Sequence, residues 1–249
     1  MTEESAQGSV NLADADFDRI YRGDSVFEGL DVKFERVPWD IGEPQPEVVA
    51  LEEAGQIRGH VLDAGCGLGE NTLFLAARGY RVSGFDAAAP AIERARQLAR
   101  ERGVDAEFAV ADATRFDGVP QQFDTVLDSA LYHCLNDEQR KQYSAALHRV
   151  TVPGAQLHMF CFSDRMPLAM GGDFQVSREN LQENLGQHWN IVSAEPKNYT
   201  SAFTRDSLRR QVNQGGFAKV GMTFDPEALA ADDQGRLFLP VWKVHAHRR

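Results

Sequence analysis

Apolar residues in this chain come in two alternating arrangements: short unbroken runs, and longer stretches in which they return every third or fourth position. The runs at 60–64, 81–86, 106–110, 123–128 and 155–162 read as buried strands. Helical spacing marks 72–78, then 90–102, where Pro90 is tolerated in the first turn. A third helix is expected over 137–150, with Tyr143, Leu147 and Val150 on one face and Pro153-Gly154 as its stop. Strands that alternate with helices in this way imply an α/β fold, a doubly wound and mostly parallel sheet with helices on both faces.

The flanks are less regular. Phe17, Ile20 and Tyr21 predict a short amphipathic helix over 16–23, and a helix over 47–54 leads into the first strand. Between them, Pro38, Pro44 and Pro46 forbid regular structure, while Trp39 and Ile41 are costly to leave in water. This segment reads either as a rigid lid over the site or as a strap along the sheet edge. After residue 163 the alternation loosens. Residues 166–172 are apolar without strand or helix spacing, and a helix (177–185), a strand (189–194), a helix (204–214) and a last strand (237–245) follow. No internal repeat is visible. The expected organisation is a single domain over 1–249, with a flexible tail (1–14), an N-terminal lid (15–46) and a substrate-side insertion (163–176).

The most informative stretch joins the first strand to its helix: Asp63-Ala64-Gly65-Cys66-Gly67-Leu68-Gly69-Glu70. Glycines 65, 67 and 69 permit positive φ and let a ligand press against bare main chain, and the amides of the following helix favour its anionic oxygens. A dinucleotide fingerprint would place its third glycine where Glu70 stands, and a carboxylate there would repel a pyrophosphate. With Asp63 beneath the loop, the site suits a ligand that carries positive charge. Asp86 closes the second strand about 20 residues past the first glycine, where a carboxylate can accept from both ribose hydroxyls.

Charge and composition narrow the partners. The chain has 249 residues and a net charge of −11, which argues against nucleic acid. No apolar run is long enough for a membrane span, and the N-terminus lacks the pattern of a secretory signal. Cys66, Cys134 and Cys161 form no C-x-x-C and fit reduced thiols, so a cytoplasmic location is expected. No metal-ligand spacing is visible, and no metal is expected. His133, beyond the fourth strand, is the one histidine placed to take a proton from a phenol, N-hydroxyl or ring nitrogen, with Asp128 able to orient it. Its alternative is a packing role.

The D-x-G-x-G-x-G turn with an acid closing the next strand resembles the class I S-adenosylmethionine-dependent methyltransferases. Trp39-Asp40-Ile41-Gly42 with Pro44-Gln45-Pro46 resembles the approach segment of thiol, thiopurine and halide methyltransferases. Together with Asp128-Ser129-Ala130-Leu131-Tyr132-His133-Cys134-Leu135, these stretches are similar to the mycobacterial heterocyclic-toxin methyltransferases. The resemblance covers about 17–244. It implies a Rossmann-like sheet of seven strands and S-adenosyl-L-methionine as cofactor, held by Tyr21, Trp39, Asp63, Gly65, Cys66, Gly67, Asp86, Ala87, Asp112, Ala113, Asp128 and Ser129. It further implies O- or N-methylation, and so detoxification, of a small aromatic heterocycle such as a hydroxyquinolone, phenol or quinol. Phe17, Tyr132, His133, Met166, Leu168 and Met170 are the expected substrate side, unless they are simply core. A thiol or halide methyltransferase is the alternative enzyme; a nicotinamide-binding oxidoreductase and a non-catalytic cofactor binder are alternatives of other classes.

Overall fold

The computed structural model describes residues 15–26, 33–166, 169–170, 174–219, 222–223 and 225–249. The expected tail over 1–14 lies outside them, as do parts of the expected lid and insertion. Five strands follow one another in parallel: β1 (His60–Ala64), β2 (Arg81–Asp86), β3 (Glu107–Val110), β4 (Phe123–Ser129) and β5 (Thr151–Phe162). With β7 (Trp189–Thr204) and β9 (Arg236–Arg248) they form a seven-stranded sheet of order β3-β2-β1-β4-β5-β9-β7, in which β9 runs antiparallel to both neighbours. The two-residue strands β6 (Ala169–Met170) and β8 (Met222–Thr223) pair separately.

The helices are α1 (Phe17–Tyr21), α2 (Pro46–Glu53), α3 (Glu70–Ala77), α4 (Ala89–Arg102), α5 (Asp137–Val150), α6 (Arg178–Leu185), α7 (Arg205–Asn213) and α8 (Gly216–Lys219). Alternation along β1 shows why both faces are covered: Leu62 and Ala64 enter the core beneath α5 and α6, whereas Val61 packs with Val48, Leu51 and Leu75 of α2 and α3. A third apolar cluster joins Ile20 of α1 to Phe203, Leu208, Phe217 and Leu229, so the N-terminal segment and the chain after β7 close over the same end of the sheet.

Three boundaries differ from the expectation, each for a local reason. The glycine-turn helix starts at Glu70 because Gly69, at φ +86°, turns the chain directly into it. Pro153-Gly154 does not separate helix from strand: α5 ends at Val150, and the pair sits inside β5, where the register against β4 slips between Phe123 and Thr125. The strand expected over 189–194 continues to Thr204, because β7 is the sheet edge and Pro196 removes an N–H that a central strand would need.

Candidate active site

The reversal in strand order falls between β1 and β4, and the turns after β1, β2 and β4 meet there. Gly65 and Cys66 both donate backbone N–H bonds to the Phe85 carbonyl, at 2.8 and 2.9 Å. The Gly67 N–H donates to Asp86 Oδ2 at 2.9 Å, and the Ala88 N–H to Oδ1 at 2.8 Å. Gly67 has φ +53°, and a Cβ there would lie 2.7 Å from the Tyr21 hydroxyl. A Cβ on Gly69 would lie 2.8 Å from the Phe108 ring. The bare backbone is therefore required by the protein's own side chains as well as being open to a ligand.

Tyr21 is held over this turn by Trp39, whose Nε1 donates to its hydroxyl at 2.9 Å, and Phe17 packs against Trp39 with ring centroids 5.9 Å apart. The segment carrying Trp39 is tied down on both sides. Pro38 O accepts from Ala202 N at 2.7 Å, Gln45 Nε2 donates to Thr200 O at 3.1 Å, and Gln45 N donates to Asn71 Oδ1 at 2.9 Å. It thus runs along edge strand β7 and covers the glycine turn, meeting the geometry of both strap and lid.

Two open compartments flank this cover. One, of about 590 Å³, lies between Phe17, Tyr21, Trp39, Phe85, Asp86, Ala87, Ala111, Ala113, Leu131 and Cys134. The other, of about 430 Å³, lies between the glycine turn, Asp40, Gln45, Glu70, Asn71 and Tyr199. Trp39, Gly65 and Ser129 line both, and so mark the border. A largely apolar slot with a carboxylate at one end suits a nucleoside, and a polar slot beside backbone amides suits an amino-acid end.

The electrostatics agree. Burial pushes the Asp63 carboxyl up to about 6 and that of Asp128 up to about 7, and burial also raises Asp86; nearby carboxylates add to all three shifts. Asp63 Oδ2 accepts from the Thr72 hydroxyl at 2.6 Å, but Oδ1 is buried with no partner among the described residues. Asp63 lines neither compartment and lies beneath the glycine turn, but its orphaned oxygen, with Asp86 on the apolar compartment's wall, makes this end of the sheet acidic, which fits the ammonium and sulfonium of S-adenosylmethionine. Glu70 does not act as expected. Its carboxylate is paired with Arg102 at 2.6 and 2.7 Å, so its charge is not left to repel a pyrophosphate.

The turn after β4 corrects the expected catalytic pair. Asp128 does not orient His133: Oδ1 accepts from Leu131 N at 2.9 Å and Tyr132 N at 3.4 Å, and Oδ2 from the Tyr143 hydroxyl at 2.9 Å. His133 is buried and stacked on Phe162, with centroids 3.8 Å apart, and its Nδ1 accepts from the Phe162 N–H at 3.3 Å. Burial, with the Arg140 charge, lowers its pKa to about 3. A neutral ring that accepts at Nδ1 carries its proton on Nε2 and is a donor there, not a base. The imidazole continues the sheet ladder where β4 has ended. Tyr132, expected on the substrate side, is fully buried in the main core with its hydroxyl on Asn180.

Other expected residues divide similarly. Phe17, Tyr21, Trp39, Gly65, Asp86, Ala87, Ala113 and Ser129 are brought together around the apolar compartment, and Cys66 and Gly67 line the polar one. The exposed Asp112 side chain binds Thr114 through Oδ1, at 2.9 and 2.7 Å, and does not line the compartment. Met166 is buried in the cluster with Phe174 and Phe203. The backbone of Met170 lies in β6, and Leu168 is outside the described residues. Tyr199 and Asn71 line the polar compartment without having been singled out from the sequence, and Gln45 was given no role at the site. Gln45 and Asn71 stand beside recognised motifs, but nothing near residue 199 in sequence points to the site.

Comparison with known proteins accords with this geometry. The methyltransferase domain family matches residues 61–154. A 2-heptyl-1-hydroxyquinolin-4(1H)-one methyltransferase from Mycobacteroides abscessus is 35% identical over 96% of this chain and 98% of its own length. A probable thiol methyltransferase from Arabidopsis thaliana is 26% identical over 50% of this chain and 56% of its own. A chain solved in work on the conversion of a disulfide bond into a thioacetal group during echinomycin biosynthesis is 34% identical, with a TM-score of 0.74, over 93% of this chain and 90% of that one. The nicotinamide alternative falls with these matches: the chain belongs to the class I S-adenosylmethionine-dependent methyltransferases.

Proposed function

We propose that this methyltransferase acts on an oxygen or nitrogen of a small aromatic heterocycle, such as a hydroxyquinolone or a related phenol or quinol, and so detoxifies it. The match along nearly the whole chain to a hydroxyquinolone methyltransferase carries this reading. The aromatic wall of Phe17 and Trp39 beside the border of the two compartments supports it, since flat rings pack well against such a wall. We place the enzyme in the cytoplasm, where its three cysteines stay reduced. It acts as one domain, with 15–46 as its lid and 163–176 as the substrate-side insertion.

The bound cofactor supplies an electrophilic methyl group on a sulfonium. The chain's own residues bind and orient. Asp86 faces the ribose, Asp63 offsets positive charge, Tyr21 and Trp39 exclude water, and Gly65 and Ser129 leave room at the border where the acceptor meets the methyl group. With His133 held as a neutral donor, the acceptor must lose its proton to solvent, which favours acidic N-hydroxyls over ordinary phenols, whose pKa of about 10 leaves only a small ionised fraction at neutral pH.

With no histidine base at the border among the described residues, the site also suits a thiolate, which is the second reading. Incubation with labelled S-adenosylmethionine and a panel of hydroxyquinolones, phenols, quinols, thiols and iodide tests both. Transfer to the hydroxylated rings is expected to lead; transfer to thiols alone would replace the first reading by the second.

A further inference from the structure

We propose that Tyr199 is a positioning residue for the amino-acid end of the cofactor, acting through Ser129. This rests on the placement of that end in the polar compartment. Tyr199 lies on β7, separated from β4 by β5 and β9, yet its hydroxyl reaches the end of β4. The phenol oxygen is 3.0 Å from Ser129 Oγ and 3.5 Å from Ser129 O. The ring is 3% exposed and packs with Phe160 and Val241, so its position is set by the core rather than by a loop. Burial holds the phenol well above its ordinary pKa, and it stays protonated. Ser129 lines both compartments, whereas Tyr199 lines only the polar one. With the phenolic proton donated to Ser129, the serine's own proton is free to face the ligand. The edge strand thereby sets the hydroxyl that meets the polar half of the cofactor.

The test compares two ligands that differ only in that half. S-adenosylhomocysteine carries the amino-acid end, and methylthioadenosine lacks it. By calorimetry, Tyr199→Phe should weaken S-adenosylhomocysteine by about tenfold and leave methylthioadenosine unchanged. Ser129→Ala should show the same selective loss, and the double variant no further loss, because the two hydroxyls act as one unit. Equal loss for both ligands would make Tyr199 a structural residue, and no loss for either would overturn the proposal. Losses that multiply in the double variant would break the link to Ser129. Wild-type protein that binds methylthioadenosine as tightly as S-adenosylhomocysteine would instead remove the placement on which the proposal stands. Melting curves of each variant keep folding and binding apart.

Discussion

Two aspartates, Asp63 and Asp128, stand at the ends of neighbouring strands β1 and β4, one register position apart. Both are buried, both are followed within two residues by positive φ, and both have carboxyls raised by burial and by a neighbouring carboxylate, Asp86 for Asp63 and Asp63 for Asp128. Their hydrogen bonds differ. Asp128 is fully engaged by two backbone N–H groups and the Tyr143 hydroxyl, while Asp63 has one hydroxyl partner and one orphaned oxygen. Burial and a perturbed pKa mark both alike. The capacity left over separates the residue that is spent on building a turn from the one that still has an acceptor to offer among the described residues.

Asp128→Ala should show the larger effect and break the likeness. It leaves three buried donors unpaired, at about 1–3 kcal/mol each before relaxation. A loss of about 3–4 kcal/mol in denaturant unfolding is expected, and a loss below about 1 kcal/mol would deny Asp128 its structural role. Asp63→Asn should do the reverse. The Thr72 hydroxyl keeps an acceptor, so stability changes little, while cofactor affinity falls by about 1.5–3 kcal/mol as a charged partner is lost. Calorimetry showing unchanged affinity would place Asp63 outside the site.

The same pair predicts a pH dependence. Raised carboxyl pKa values mean that the cofactor-free fold holds these protons more tightly than the unfolded chain. Their stabilising contribution is full below the ordinary carboxyl range and lost as pH rises through about 6 for Asp63 and about 7 for Asp128. A cationic ligand favours the ionised forms, so affinity should rise from pH 5 to pH 8, by about tenfold for one group whose pKa the ligand lowers by one unit. A melting shift on cofactor addition that is larger at pH 5 than at pH 8 would reverse the assignment. The dependence should flatten in Asp63→Asn.

A smaller effect is expected beyond the turn that Asp128 builds. His133→Asn keeps an acceptor for the Phe162 N–H, and the rate should fall by less than about tenfold with an unchanged pH profile, where loss of a general base would cost about 10²–10⁴. The smallest effect is that of chelation, which should leave turnover unchanged. Among the described residues no group of three or more His, Cys, Asp or Glu could hold a metal, and magnesium-dependent recovery after chelation would refute this.

The strand-glycine-helix unit and the parallel order around it were legible because they are local. An apolar run, a cluster of glycines and a closing acid are neighbours in the chain, and backbone sterics read them without help. The place of Asp86 at the close of β2 was legible for the same reason; that its carboxylate holds the Gly67 and Ala88 amides of the turns beside it was not. What followed β4 was not. Tyr132, His133 and Cys134 are three consecutive residues in one short turn, and which of them faces ligand, sheet or core depends on packing from α5, β5 and α6. Tyr199 meets Ser129 across 70 positions of sequence, and Gln45 meets Thr200 across 155. Local chemistry along the chain marks where backbone is left bare. Which buried polar groups are already spent on holding the fold is settled by packing, because a hydrogen bond between distant segments leaves no periodic trace in either one.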